Sequence, residues 1–186
     1  MAFLRTLDRD RAIHPIRTMI AIGLVSAAFS CAATARAASA NEYQIKAAFL
    51  FNFAKFVIWP SHAFADANSP FVIGVLGQDP FGSYLDETVR GERIDNRPLV
   101  IQRYHNLSEI KNCHVLFISR SEAGRLNQIV ASLKSRNLLI VSDTDGGEGG
   151  VIIRFVTEGN RIRFKIDPQA AKAANLTISS KLLRLG

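Results

Sequence analysis

The sequence predicts an α/β fold, a three-layer sandwich on a mainly parallel sheet with an antiparallel C-terminal hairpin. Three observations predict it. Phe71–Gly77 and His114–Ile118 are short, unbroken apolar runs, the pattern of strands buried on both faces. Turn and helix signals separate these runs, as in units that alternate strand and helix. Near the end, Val151–Thr157 and Arg161–Ile166 flank Glu158-Gly159-Asn160, a glycine turn between two strands.

The chain opens on a segment that does not belong to this fold. Arg5, Arg9, Arg11 and Arg17 form a basic leader, and Ile20–Phe29 is apolar. Ala35-Arg36-Ala37 and Ala38-Ser39-Ala40 place small residues where a signal peptidase reads. Residues 1–37 are therefore expected to be a cleaved signal peptide, leaving residues 41–186 as one domain. Cys31 follows Phe29-Ser30, a poor lipobox, and the leader has no twin-arginine pair. The leader holds five of the 23 basic residues and two of the 16 acidic ones. Eighteen basic against fourteen acidic residues leaves the mature chain at +4. No Lys/Arg cluster of useful length remains, which argues against nucleic acid as a partner. Cys113 is the only cysteine after the leader, so no internal disulfide is available.

The first element of the domain is a helix over Ile45–Trp59, ended by Pro60. Phe49, Phe53 and Phe56 are spaced by four and three and fall on one side of it. Leu50, Phe51 and Val57 cover other sides, so the helix needs burial against a sheet or a partner. Its run is too short and too charged to span a bilayer. Asp66–Pro70 is a soft connector to the first strand, Phe71–Gly77. Asp79 is expected to cap a short helix, with Pro80 in its first turn, running to about Val89. Arg97–Tyr104 is a second strand, with Pro98 near its start. His114–Ile118 is the third. A helix is expected over Ala123–Ser135, with Leu126, Ile129, Val130 and Leu133 on one face. Leu138–Val141 is the fourth strand. In the second arm of the hairpin Ile162, Phe164 and Ile166 face one way and Arg161, Arg163 and Lys165 the other. Pro168 opens a short helix through Ala174.

Ligands of open α/β sheets favour the crevice beyond the strands' carboxyl ends. Asp79, Ser119 and Asp143 lie there by this reading and are the candidate ligand residues. The loop Ser142–Gly150 is rich in glycine, but it carries three acids and no lysine, so it is no Walker loop. Asp79, Asp143 and Asp145 could form a metal or acid/base group, yet carboxylates at strand ends are also ordinary turn formers. Ser119 and Ser121 lack the G-x-S-x-G elbow, and His62, His105 and His114 share no metal-ligand spacing. His114 reads as a structural histidine at the head of a buried strand. No catalytic residue, metal site or cofactor is assigned. These residues point to an exported domain that binds rather than transforms.

Several segments together resemble one family: Lys46–Phe56 through Trp59-Pro60; Gly74–Gly77 with Asp79-Pro80-Phe81-Gly82; Cys113–Ser119; Val141-Ser142-Asp143; Gly149–Ile152; and Ile178–Arg184. In that order they resemble the YfiR family of bacterial periplasmic proteins, over essentially all of residues 42–186. The resemblance implies a Rossmann-like α/β domain in the periplasm, often a homodimer. It implies a non-enzymatic regulator that restrains an inner-membrane diguanylate cyclase by binding its sensor domain. Lower cyclic di-GMP, with effects on biofilm and motility, would follow. An OmpA-like outer-membrane lipoprotein is the usual third partner. Members with a cysteine pair near the hairpin have no counterpart here, because Ser142–Gly150 lacks cysteine. The expected partner or dimer surface is the outer side of the first helix, Phe49, Phe53, Phe56 and Trp59, since large aromatics anchor interfaces. Core packing is the competing fate of each ring. A small-molecule sensor using the strand-end crevice is the alternative function.

Overall fold

A computed structural model describes residues 41–134, 136–146, 149–159 and 161–186. The expected signal peptide lies outside the described residues.

Helix α1 spans 41–55. It buries Ala47, Leu50, Phe53 and Ala54, an i, i+3, i+6, i+7 stripe that seats one face on the core. The helix ends before Pro60, not at it. Val57–Ile58 forms strand β1, antiparallel to β9 (Thr177–Ile178), and the Ser179 amide donates to the Phe56 carbonyl at 2.9 Å. Two β-branched residues followed by the extended bias of Trp59 before proline favour this over another helical turn.

The main sheet has seven strands in the order β3-β4-β2-β5-β6-β7-β8. β2 (Phe71–Leu76) pairs in parallel with β4 (Arg97–Tyr104) and with β5 (Val115–Ile118). β6 (Leu139–Ser142) and β7 (Ile153–Glu158) continue in parallel. The margins are antiparallel: β3 (Arg93–Ile94) on β4, and β8 (Arg161–Ile166) on β7. The mainly parallel sheet and its antiparallel hairpin thus follow the expectation. β2, β5 and β6 are buried at every position, which explains their unbroken apolar sequence.

Alternation along these strands divides the interior into two apolar clusters. Phe71, Ile73, Val75, Val115 and Phe117 join one cluster with α1 and with helix α2 (Ser83–Val89). Leu76, Leu116, Ile118 and Ile140 join the other with Leu126, Ile129 and Val130 of helix α3 (Leu126–Ser132). Helix α4 (Pro168–Ala173) follows the hairpin, and α5 (Ser180–Leu183) follows β9. Asp167 accepts from the Gln169 and Ala170 amides and caps α4.

Three helix starts differ from expectation, the first being α1, which begins at 41 and not at Ile45. The Asp79 side chain accepts from the Phe81 amide at 2.7 Å and closes a turn, while α2 begins at Ser83 without a side-chain cap. Gly82 between them sits at φ 56, which breaks helical continuity from Asp79. The predicted helix at Ala123 is a 3-10 segment, Arg120–Arg125, before α3 starts at Leu126. Among the described residues no helix is long and apolar enough to cross a membrane.

Candidate functional site

Five side chains meet where the first turn of α1 reaches the end of β6. Glu42, Tyr43 and Lys46 come from α1. Asp143 follows β6, and Arg120 follows β5. Lys46 is only 1% exposed although it is a lysine in an apolar helix. Its Nζ donates to Asp143 Oδ2 at 2.7 Å and to Glu42 Oε1 at 2.5 Å. The Tyr43 hydroxyl donates to the same Asp143 oxygen at 2.8 Å. Arg120 Nε donates to the Asp143 backbone carbonyl at 3.1 Å and lies 3.4 Å from Oδ2. The two cations, Lys46 and Arg120, balance the two carboxylates, Glu42 and Asp143.

The low dielectric makes this network consequential. Desolvating two charges costs several kcal/mol each unless partners satisfy them. Here Asp143 Oδ2 accepts from Tyr43 and Lys46 and faces the Arg120 guanidinium at 3.4 Å, while Oδ1 is buried without a hydrogen-bond partner among the described residues. Burial, then the Asp143 charge, pushes the Tyr43 hydroxyl above its ordinary range, so it stays protonated and donates. Phe81 closes the site edge-on to the Tyr43 ring at 5.5 Å. No group of three or more metal-ligating side chains occurs among the described residues.

The candidate crevice residues have separate commitments. Asp143 is the hub just described. Ser119 is buried, and its hydroxyl accepts from the Ser121 amide at 3.4 Å. Asp79 accepts from Arg103 Nε at 2.7 Å, and Arg103 also grips Asp86 at 2.5 Å and the Gly82 carbonyl at 3.0 Å. These bonds hold the Asp86 carboxyl below the usual range and raise the Arg103 guanidinium. The turn between β2 and α2 is thereby clamped to β4.

The four aromatic candidates divide. Phe53 is 0% exposed and packs edge-on to Phe164 at 4.9 Å, so it offers no surface. Its place on the expected outer side is corrected: Phe53 lies on the stripe of α1 that carries Leu50 and Ala54. Phe49, Phe56 and Trp59 are half-buried against the same cluster. Phe49 meets Phe164 at 5.4 Å, and Trp59 Nε1 donates to the Ala54 carbonyl at 3.3 Å. Beside them Ile58 is 64% exposed, a bare apolar residue the sequence reading did not single out.

His114 holds the other end of the sheet. Its Nδ1 accepts from the Val72 amide at 3.0 Å, and its Nε2 lies 3.1 Å from the Ala63 carbonyl. These partners fix the neutral tautomer with hydrogen on Nε2. The ring stacks on Phe64 at 4.5 Å and Phe71 at 4.8 Å, and burial lowers its pKa. The histidine is structural, as its sequence position indicated. Burial pushes the Cys113 thiol up to about 12, which leaves it no thiolate at neutral pH.

Lys46 is what sequence reasoning passed over. The signal was present: a lysine in an apolar helical run must either reach solvent or find an acid. One of its acids, Glu42, is four residues away; the buried one, Asp143, lies 97 residues away.

A family model described as YfiR/HmsC-like matches residues 43–186. No curated protein matches the chain.

Proposed function

The chain belongs to the YfiR/HmsC-like family, and from that premise we propose a periplasmic regulator that binds and restrains an inner-membrane diguanylate cyclase. It lowers cyclic di-GMP output by docking on the cyclase's sensor domain and catalyses no reaction. The observation that carries this reading is the family match, which covers residues 43–186. Docking holds one conformation of the cyclase, and removal of the domain shifts the population. Export through a cleaved leader over residues 1–37, a three-layer Rossmann-like arrangement and a homodimer belong to the same reading. So does sequestration by an OmpA-like lipoprotein.

The contact surface we assign is half-buried Phe49 of α1 with Phe56 and Trp59, which flank β1, and exposed Ile58 of β1. Deleting the gene is expected to raise cyclic di-GMP, and the tagged protein is expected to co-purify a membrane cyclase. Unchanged cyclic di-GMP together with no captured cyclase would sink the regulatory reading. Phe56→Asp should weaken capture while the melting temperature stays within a few degrees.

A second reading, a small-molecule sensor at the strand-end crevice, is favoured by one observation, the buried Asp143 Oδ1, which has no hydrogen-bond partner among the described residues. Thermal-shift screening with amino acids, nucleotides and anions tests it. Flat melting curves throughout would remove it.

A further inference from the structure

A cavity of about 470 Å³ lies between α3, α4 and the end of the loop that precedes β7. It is separate from the Lys46–Asp143 network and from the aromatic side of α1, sharing no lining residue with either. Its volume is in the range of small-molecule sites, roughly 300–1,000 Å³.

The lining has two parts. Its apolar wall is Val130, Leu133, Leu138, Ile140 and Ile152, extended by the alanines of α3 and α4. None of the described lining residues is aromatic, so the wall suits a flexible aliphatic body better than a stacked ring. Gly150 shapes one side: a Cβ there would fall 2.3 Å from Val130 Cγ1. The bare glycine lets the loop close against α3.

The rim is cationic. Lys134 and Arg136 are both exposed and both line the cavity. Arg136 spends Nη1 on the Ile110 carbonyl at 2.9 Å, and the rest of its planar fork has further N–H donors. The single acid among the described lining residues, Asp167, is turned to the α4 cap, accepting at 2.9 and 3.0 Å from backbone amides. The cavity therefore presents an aliphatic interior beneath a positive mouth. A guanidinium fork and an ammonium match a carboxylate in charge and geometry.

We propose that this cavity binds an aliphatic monocarboxylate, tail inward and head at Lys134 and Arg136. The claim is independent of cyclase docking. Decanoate is the probe, titrated calorimetrically into the purified protein below its micelle concentration, beside 1-decanol and decyltrimethylammonium. Saturable one-to-one binding is expected for decanoate, at least tenfold weaker binding for the alcohol, and none for the cation. Lys134→Glu should weaken decanoate about fivefold or more, the scale of one exposed ion pair plus a like-charge contact. Ala131→Trp, at an exposed helical position on the wall, should abolish binding with the circular dichroism spectrum unchanged. Equal binding of the three probes would overturn the proposal, as would no saturable binding of decanoate, or decanoate binding untouched by both variants.

Discussion

The two halves of α1 are fastened in opposite ways. Its first turn is held by charge: Lys46, Tyr43 and Glu42 converge on Asp143 and Arg120. Its second half is held by rings: Phe49 and Phe53 stack at 5.9 Å and both pack on Phe155 and Phe164. Rings lose contact in proportion to the area removed. A buried charge pair fails abruptly, because removing one partner strands the other. The comparison teaches that one helix can carry both a graded anchor and an all-or-none register pin.

The largest expected effect is at the pin. Asp143→Ala leaves Lys46 without its buried partner and should cost about 3–5 kcal/mol in denaturant unfolding. A loss under about 1 kcal/mol would mean that Lys46 escapes to solvent and the register is set elsewhere. At the ring anchor, Phe53→Leu keeps most of the apolar volume and should cost about 1–2 kcal/mol. A loss as large as that of Asp143→Ala would erase the contrast. The double variant Lys46→Met/Asp143→Leu removes both charges together. It should unfold within about 1 kcal/mol of the parent, or above it, since apolar replacements of buried pairs are often neutral. If it is as unstable as Asp143→Ala, hydrogen bonding from Tyr43, not charge balance, governs the site.

The smallest effect is a pH dependence from the other end of the sheet. Folding lowers the His114 pKa below the 6.5 of the free side chain. Above that value both states are neutral and the contribution of His114 is intact. As pH falls below it, the unfolded chain takes a proton that the folded chain refuses, and stability declines. The urea midpoint should drop between pH 7.5 and 5.5, and His114→Gln should flatten that slope. An unchanged slope in the variant would assign the dependence to other groups.

Long apolar runs were the legible part of the fold. β2, β5 and β6 fall within a residue or two of their predicted limits, because strands buried on both faces leave an unbroken signal. The short pieces were not legible. β1, β3 and β9 have two residues each, and two residues carry no period. β1 exists because a strand 121 positions later supplies a partner for Val57 at Ile178, so local preference could not reveal it. The site was half legible. Asp143 was named from its place at a strand end, but its bonds run to Tyr43 and Lys46, which no local spacing connects to it. Phe53 shows the converse limit: period alone cannot tell which aromatic of a helix apolar on most sides turns inward.

β8 closes the sheet with Arg161, Arg163 and Lys165 exposed along it, and the opposite margin is the two-residue β3. At the β8 rim this row of cations leaves no neutral ladder on which another polypeptide could zip. Growth by sheet extension, the common road to fibrils, is discouraged at that rim. A chain approaching that rim meets charged side chains before it reaches backbone, so the hairpin keeps its outer strand to itself.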